Sequence, residues 1–177
     1  MSDDIEDILQ GCLLGDKTCQ QKLYDTFAPK MFGVCLRYSK DEDEAKDFLQ
    51  EGFIKVFQNL GKYKSEGSFE GWLRRVIVNH TLEQFRKAYK KQKFVEIEEA
   101  HGETSENFNF ENHDFKIILE AIQSLSIGYR TVFNLYVMEG YQHNEIAEMM
   151  GINESTSKSQ LSRARQLLQK KLAIFRK

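Results

Sequence analysis

The stretch Tyr141–Leu168, YQHNEIAEMMGINESTSKSQLSRARQLL, decides the fold. Ile146, Ala147 and Met150 share one face at helical spacing, which predicts a first helix over about His143 to Met150. Gly151 stands where a left-handed residue can end a helix, and Ile152 is the apolar residue that plugs such a turn. Asn153 is a good N-cap, so a second helix is expected from about Glu154 to Lys170.

At about 100° per residue this second helix separates into two faces. Ser157, Leu161, Ala164, Leu168 and Leu172 cluster on one side. Ser155, Lys158, Ser159, Ser162, Arg163 and Gln166 cluster on the other. From Ser155 to Lys177 there are seven Lys or Arg and no acid. A cationic, hydroxyl-rich face on the second helix of such a pair is what docking in a DNA major groove requires. The bland alternative is a solvated surface helix in an ordinary bundle.

Working outward, 177 residues, 41% of them hydrophobic, suffice for one good core or two small ones. Pro29 is the only proline and strand-like alternation is absent, so helix is expected throughout. The net charge of -2 argues for nothing, but its distribution does. Gln84–Lys93 holds five cations and no acid, whereas Phe94–Asp114 holds seven acids and no cation. Charge segregated in this way points to surfaces with different partners. Cys12, Cys19 and Cys35 form no CxxC and fit idle thiols in a reducing cytosol better than disulfides or zinc. A redox pair of Cys12 and Cys19 is a minor alternative. No signal peptide or apolar run near 18 residues is present, so the expected location is cytoplasmic.

From the N-terminus, Asp3–Leu14 is expected to be a short amphipathic helix with Ile5, Ile8, Leu9 and Leu13 inward. Lys17–Tyr38 is a longer one, kinked or broken for one turn at Pro29. Asp41–Leu60 follows, opened by DEDE and carrying Ala45, Phe48, Leu49, Phe53, Val56 and Phe57. After the loop Lys62–Gly67, Ser68 caps a helix running to about Gln92. Its inner face is Phe69, Trp72, Leu73, Val76, Ile77 and Leu82, and its outer face is cationic, with Arg74, Arg75, Arg86, Lys87, Lys90 and Lys91. Aromatic and cationic residues interleaved beside a loop suit single-stranded DNA, but each aromatic taken alone is more often core than base platform, and Trp72 reads as core. Val95–Asp114 loses periodicity and is expected to be a linker. His101 and His113 within it match no metal-ligand spacing. Helix resumes at Phe115 with FKIILEAIQSL and YRTVFNLYVME. No phosphate-loop, nucleophile-elbow or zinc-protease motif occurs, which leaves an enzyme without support and implies no cofactor.

Two motifs resemble those of a known family. EAKDFLQEGFIKVFQNLGKYKSEGSFEGWLRRVIVNHTLEQFRK is similar to region 2 of bacterial sigma factors of the extracytoplasmic-function group. AIQSLSIGYRTVFNLYVMEGYQHNEIAEMMGINESTSKSQLSRARQLLQKKL is similar to their region 4. The resemblance covers nearly the whole chain, in order, with a linker and no third domain between. It implies an all-α protein with a region 2 domain over 1–93, a flexible acidic linker over 94–114 and a region 4 domain over 115–177. That protein would bind core RNA polymerase and direct transcription initiation at promoter DNA.

Carried over position by position, Asp47, Gln50, Glu51 and Phe53 would bind the clamp helices of the largest polymerase subunit. Phe53 has a second reading as a core residue. The loop Tyr63, Lys64, Ser65, Glu66, Gly67, Ser68 and Phe69, with Asn79, would hold a base flipped from the minus-10 element. The alternative is that Tyr63 and Phe69 pack against Trp72 and the loop merely connects helices. Lys158, Ser159, Ser162 and Arg163 would read the minus-35 duplex, while the same domain packs on the polymerase flap. The linker would lie in the polymerase's positively lined channels, and an anti-sigma factor is an expected partner.

The sequence departs from the family in places. Leu125 is followed by Ser126 where proline is usual. Ser155-Thr156-Ser157-Lys158-Ser159-Gln160 replaces the usual Gly-Thr-Val-Lys-Ser-Arg, putting a hydroxyl at Ser157 where an apolar residue packs and removing a cation at Gln160. A stand-alone helix-turn-helix regulator would explain only the second domain. A protein-binding adaptor would leave both cationic faces idle.

Because 94–114 is acidic and has little to bury, limited proteolysis of the free protein is expected to cut there first and release two helical fragments. Resistance in that segment would mean that the flanking domains pack around it.

Overall fold

The computed structural model describes residues 5–92 and 113–173, with side chains over 5–87 and 114–173. Residues 94–112 of the expected linker, His101 among them, and the side chain of His113 lie outside the described residues, while the last two linker positions, His113 and Asp114, open a helix. The elements are α1 (Ile5–Leu13), α2 (Lys17–Tyr38), α3 (Glu42–Asn59), a 3-10 turn (Leu60–Lys62), α4 (Phe69–Gln92), α5 (His113–Gln123), α6 (Ile127–Phe133), a π-helical segment (Asn134–Met138), α7 (His143–Met150) and α8 (Glu154–Leu172). The fold is all-α, with no strand among the described residues.

Helix starts are set by acids and hydroxyls that satisfy the free N–H groups of a first turn. Asp16 Oδ1 accepts from the Thr18 N–H at 2.7 Å and the Cys19 N–H at 3.3 Å, starting α2. These backbone donors hold its carboxyl below the usual carboxylate range. At α3, Asp41 Oδ1 accepts from the Glu44 N–H while Glu44 Oε2 accepts from the Lys40 N–H, a reciprocal pair. Ser68 Oγ accepts from the Gly71 N–H at 3.2 Å and opens α4 as expected. Pro29 does not break α2, which runs unbroken from Lys17 to Tyr38. The proline is exposed, on the side where water can take the carbonyl that its missing N–H leaves free.

The chain divides into two compact units, Met1–Cys35 with Ala45–Thr81, and Leu36–Glu44 with Leu82–Lys177. In the first, Leu23, Met31, Val34 and Cys35 of α2 are buried, as are Leu49, Phe53 and Val56 of α3 and Leu73 and Ile77 of α4. Complete burial of each large aliphatic side chain contributes about 1.5–3 kcal/mol. α1 differs from expectation in one respect. Leu9 and Cys12 are its buried residues, while Leu13, at its last turn, is 51% exposed. Burial is the largest of the effects that push the Cys12 thiol up to about 11, ahead of Cys19 and Asp16, so it is protonated and unreactive at neutral pH.

In the second unit, α8 packs against α5, α6 and α7. Ala121, Ile122, Leu125, Ala164 and Leu168 form its buried cluster, with Tyr129, Phe133 and Leu172 against it. The expected helix through YRTVFNLYVME widens into the π segment from Asn134. The fully buried Asn134 donates from Nδ2 to the Arg37 carbonyl at 2.7 Å and the Arg130 carbonyl at 3.0 Å. The buried Arg130 donates from Nη1 to the Gln123 carbonyl at 2.7 Å. Burial lowers its affinity for the proton, against the opposing pull of Glu44 and Asp41.

Gly52 marks a close approach of α3 to α4, where a Cβ would stand 3.1 Å from Ile77 Cγ1. Gly52→Ala is expected to cost about 1–3 kcal/mol by overpacking. Urea unfolding followed by circular dichroism measures it, and an unchanged midpoint would mean that Ile77 yields without strain.

Candidate nucleic-acid and polymerase interfaces

The turn between α7 and α8 is built as its sequence predicts. Gly151 adopts φ 67°, ψ 37°. The Ile152 N–H donates to the Ala147 carbonyl at 3.0 Å and the Gly151 N–H to the Glu148 carbonyl at 3.3 Å. This double bond pattern ends α7 and turns the chain directly into α8. Asn153 occupies the N-cap with an extended backbone, though its side chain makes no capping hydrogen bond. At the start of α7 the Gln142 N–H donates to Glu145 Oε2 at 2.7 Å.

On α8, Ser157, Leu161, Ala164 and Leu168 are buried. Ser155, Lys158, Ser159, Ser162, Arg163 and Gln166 are all exposed. The four residues expected to read duplex DNA therefore lie on one open face. Lys158 Nζ meets Glu154 Oε1 at 2.6 Å, and this pairing holds the Glu154 carboxyl below its ordinary range. An exposed pair one turn apart is weak because solvent screens it, so a phosphate can displace it. Ser159 Oγ donates to the Thr156 carbonyl at 2.9 Å. Gln160, which stands where the family has a cation, is half-buried, with its amide 3.4 Å from where a Gly128 Cβ would lie. It packs between α8 and α6 and does not belong to the open face.

The unusual Ser157 has a partner. It is wholly buried, and its Oγ lies 2.9 Å from His143 Nδ1. The His143 ring stacks on Tyr136 with centroids 4.5 Å apart, and the Arg165 guanidinium stands 5.7 Å over the other ring of that stack, Tyr136. Burial, followed by Lys158, lowers the His143 pKa below its usual value, while Glu154 opposes the shift. The sequence reading did not find this group. The histidine and the serine are fourteen residues apart, and only the turn brings them together.

In the first unit, Tyr63, Phe69 and Trp72 form one aromatic cluster. Ring centroids are 5.3 Å apart for Tyr63 and Phe69, 5.6 Å for Tyr63 and Trp72, and 5.7 Å for Phe69 and Trp72. Phe27 closes on Phe69 at 5.4 Å. Phe69 is buried and Tyr63 half-buried. The free protein thus has the packing weighed above as the alternative to open flanking rings. The loop is also bent back on itself, because Tyr63 OH donates to the Gly67 carbonyl at 2.9 Å. Ser65 and Gly67 take left-handed backbone angles, φ 57° and 86°. Lys64, Ser65, Glu66, Gly67 and Ser68 are exposed around this bend. Asn79 is exposed seven residues beyond Trp72, on the same side of α4.

On α3, Asp47 and Gln50 are exposed, and Glu51 Oε2 lies 2.8 Å from His80 Nε2 of α4. Phe53 is 2% exposed and packs on Tyr24 at 4.7 Å and Phe57 at 6.2 Å. It supports the face from below and does not form it. Ile54, which the sequence reading passed over, is 55% exposed one turn beyond Gln50. Its signal was present in the spacing, since Asp47, Gln50, Glu51 and Ile54 fall on one helical face.

Comparison with known proteins identifies the family. The family description "Sigma-70 region 2" matches residues 23–91, and "Sigma-70, region 4" matches residues 115–168. The ECF RNA polymerase sigma-E factor of Haemophilus influenzae is 27% identical over 170 residues, covering 89% of this chain and 89% of that protein. The ECF RNA polymerase sigma factor SigW of Bacillus subtilis is 27% identical over 171 residues, covering 89% and 91%. Among solved structures, the sigma factor RpoE of Bartonella quintana, in complex with the anti-sigma factor NepR, shares the fold. Its TM-score is 0.57 at 21% identity, over 88% of this chain and 98% of that one. Both sigma-70 regions are present in order, and the relatives match along most of their length. The chain therefore belongs to the extracytoplasmic-function group of bacterial RNA polymerase sigma factors, proteins that bind core RNA polymerase and direct it to promoter DNA.

Proposed function

We propose that this sigma factor divides its work between residues 1–93, which bind core polymerase and the minus-10 element, and residues 115–177, which bind the minus-35 duplex. Residues 94–114 are then the linker that passes through the polymerase. The observation that carries the duplex assignment is the common exposure of Lys158, Ser159, Ser162 and Arg163 on the outer face of α8. The first helix of such a pair crosses the DNA backbone while the second enters the major groove. Asp47, Gln50, Glu51 and Ile54 are proposed as the clamp-helix contact, with an apolar side chain at the centre of a polar rim.

The protein works in the cytoplasm, where its polymerase is, and has no catalytic step or cofactor of its own. Among the described residues no helix is long and apolar enough to cross a membrane. A restraining anti-sigma factor is proposed as a further partner, as for the Bartonella neighbour.

The minus-10 loop works by capture of one unpaired base. The ring cluster beneath it is already assembled, so an incoming base finds a stacking surface without first ordering it. Asn79 offers both a donor and an acceptor for a base edge.

Lys158→Ala with Arg163→Ala is expected to abolish protection of the minus-35 element in footprints of the reconstituted holoenzyme while leaving core binding on a sizing column intact. Each lost contact costs about 1–3 kcal/mol if it is made to a base. Footprints equal to wild type would remove α8 from recognition.

Asn79→Ala is expected to leave duplex binding unchanged. It should weaken binding of a single-stranded minus-10 oligonucleotide by about 1–3 kcal/mol and reduce permanganate-reactive open complexes. Unaltered opening would take Asn79 out of the base-capture step.

A further inference from the structure

The group built around His143 and Ser157 adjoins the duplex-reading face, yet none of the contacts assigned above uses it. His143 is the first residue of α7, the helix that crosses the DNA backbone in this docking geometry. Two contacts fix its ring. Nδ1 is held by Ser157 Oγ at 2.9 Å, and one ring face is covered by Tyr136 at 4.5 Å with 23° between planes. Tyr136 is backed in turn by Arg165. Of the two ring nitrogens, Nδ1 is thus engaged inward and Nε2 has no described partner. The charged and titratable groups around the ring are Glu154, Lys158 and Arg165 from α8 and Tyr136 from the π segment.

Serine is suited to this ring in a way that valine is not. Its hydroxyl can donate to Nδ1 of a neutral imidazole or, after turning, accept from Nδ1–H of an imidazolium. The ring can therefore change charge without moving and without leaving the buried hydroxyl unsatisfied. In the free chain, burial and the cations Lys158 and Arg165 favour the neutral form. A DNA phosphate reverses that balance, because it engages those cations and adds a negative charge beside the ring.

We propose that His143 is a phosphate-binding residue of the duplex interface, donating from Nε2, and that it takes up a proton on binding, so that duplex affinity rises as pH falls. This rests on the minus-35 assignment and adds to it a residue and a dependence on acidity. The direction follows from linkage. The bound state holds the proton more tightly than the free state, so affinity grows as pH falls through the interval between the bound and free pKa values. One proton sets a ceiling of about tenfold per pH unit. In the free chain Lys158 holds the Glu154 carboxyl below its ordinary range. Any proton that Glu154 takes up when a phosphate draws Lys158 away is taken up equally in His143→Gln, so the difference between the two pH slopes reports His143.

The test uses the full-length chain and a labelled duplex selected by that chain from a randomised pool at pH 7.5. Fluorescence anisotropy at constant ionic strength follows the dissociation constant from pH 8 to pH 5.5. The wild type is expected to tighten by about fivefold or more across this range, and His143→Gln by less than about twofold. The His143 ring proton signal in NMR is expected to titrate at higher pH with the duplex present than without it. Equal pH slopes in wild type and His143→Gln, or a titration midpoint that the duplex does not move, would overturn the proposal while leaving the minus-35 assignment in place. Failure of the chain to bind or select any duplex at any pH would overturn both.

Discussion

The burial of one stripe on α8 fixes everything that its other face can do. Ser157, Leu161, Ala164 and Leu168 are held against the preceding helices, and a helix has a single rotational freedom about its axis. Once the stripe is inside, Lys158, Ser159, Ser162 and Arg163 must point outward. Turning the helix by one residue, about 100°, would expose leucines and bury cations, at a cost of several kcal/mol for each unpaired charge. The Gly151 turn adds the second constraint, since a left-handed residue there leaves α8 no alternative direction. In the duplex-reading role proposed for α8, a helix preset in this way avoids ordering costs at the moment of binding.

The first unit follows the same logic with aromatic residues. Phe27, Phe69, Trp72 and Tyr63 form a continuous cluster, and the Tyr63 hydroxyl clips the loop above it to the Gly67 carbonyl. The buried members hold the loop in place, and the half-buried ones remain within reach of a ligand. Drawing a base out of the stack costs a few kcal/mol, so in the base capture proposed for this loop a surface that is ready beforehand has an advantage over one that must assemble. On α3, Phe53 plays the corresponding supporting part beneath Asp47, Gln50 and Ile54.

Several polar groups in the second unit are buried with hydrogen-bond partners, although Asn134 Oδ1 and Arg130 Nε have none. Asn134 reaches two carbonyls, Arg130 reaches the Gln123 carbonyl, and Ser157 reaches His143. Hydrogen bonds of this kind add modest net stability but penalise any other packing of the same helices, since breaking one strands a buried polar group. The π segment coincides with the Asn134 bonds. A uniform α-helix is given up where a buried amide meets carbonyls of its own helix and of another segment.

The sequence alone determined the helices, because apolar spacing of 3.6 residues, single capping residues and Gly151 are local signals. It also determined the two faces of α8, since a helix's faces follow from its sequence once the helix is granted. The family, and with it the function, followed from two motifs in a fixed order. What it left open are matters of side-chain partnership. Phe53 suited contact and core equally until Tyr24 and Phe57 enclosed it. Tyr63 and Phe69 suited an open clamp and a packed cluster until Trp72 met them. Ser157 looked like a defect in an apolar stripe until His143, remote in sequence, supplied its hydrogen bond. Only tertiary structure decides such matters, because whether a side chain is buried, and against what, depends on segments whose distance along the chain carries no information about their distance in space.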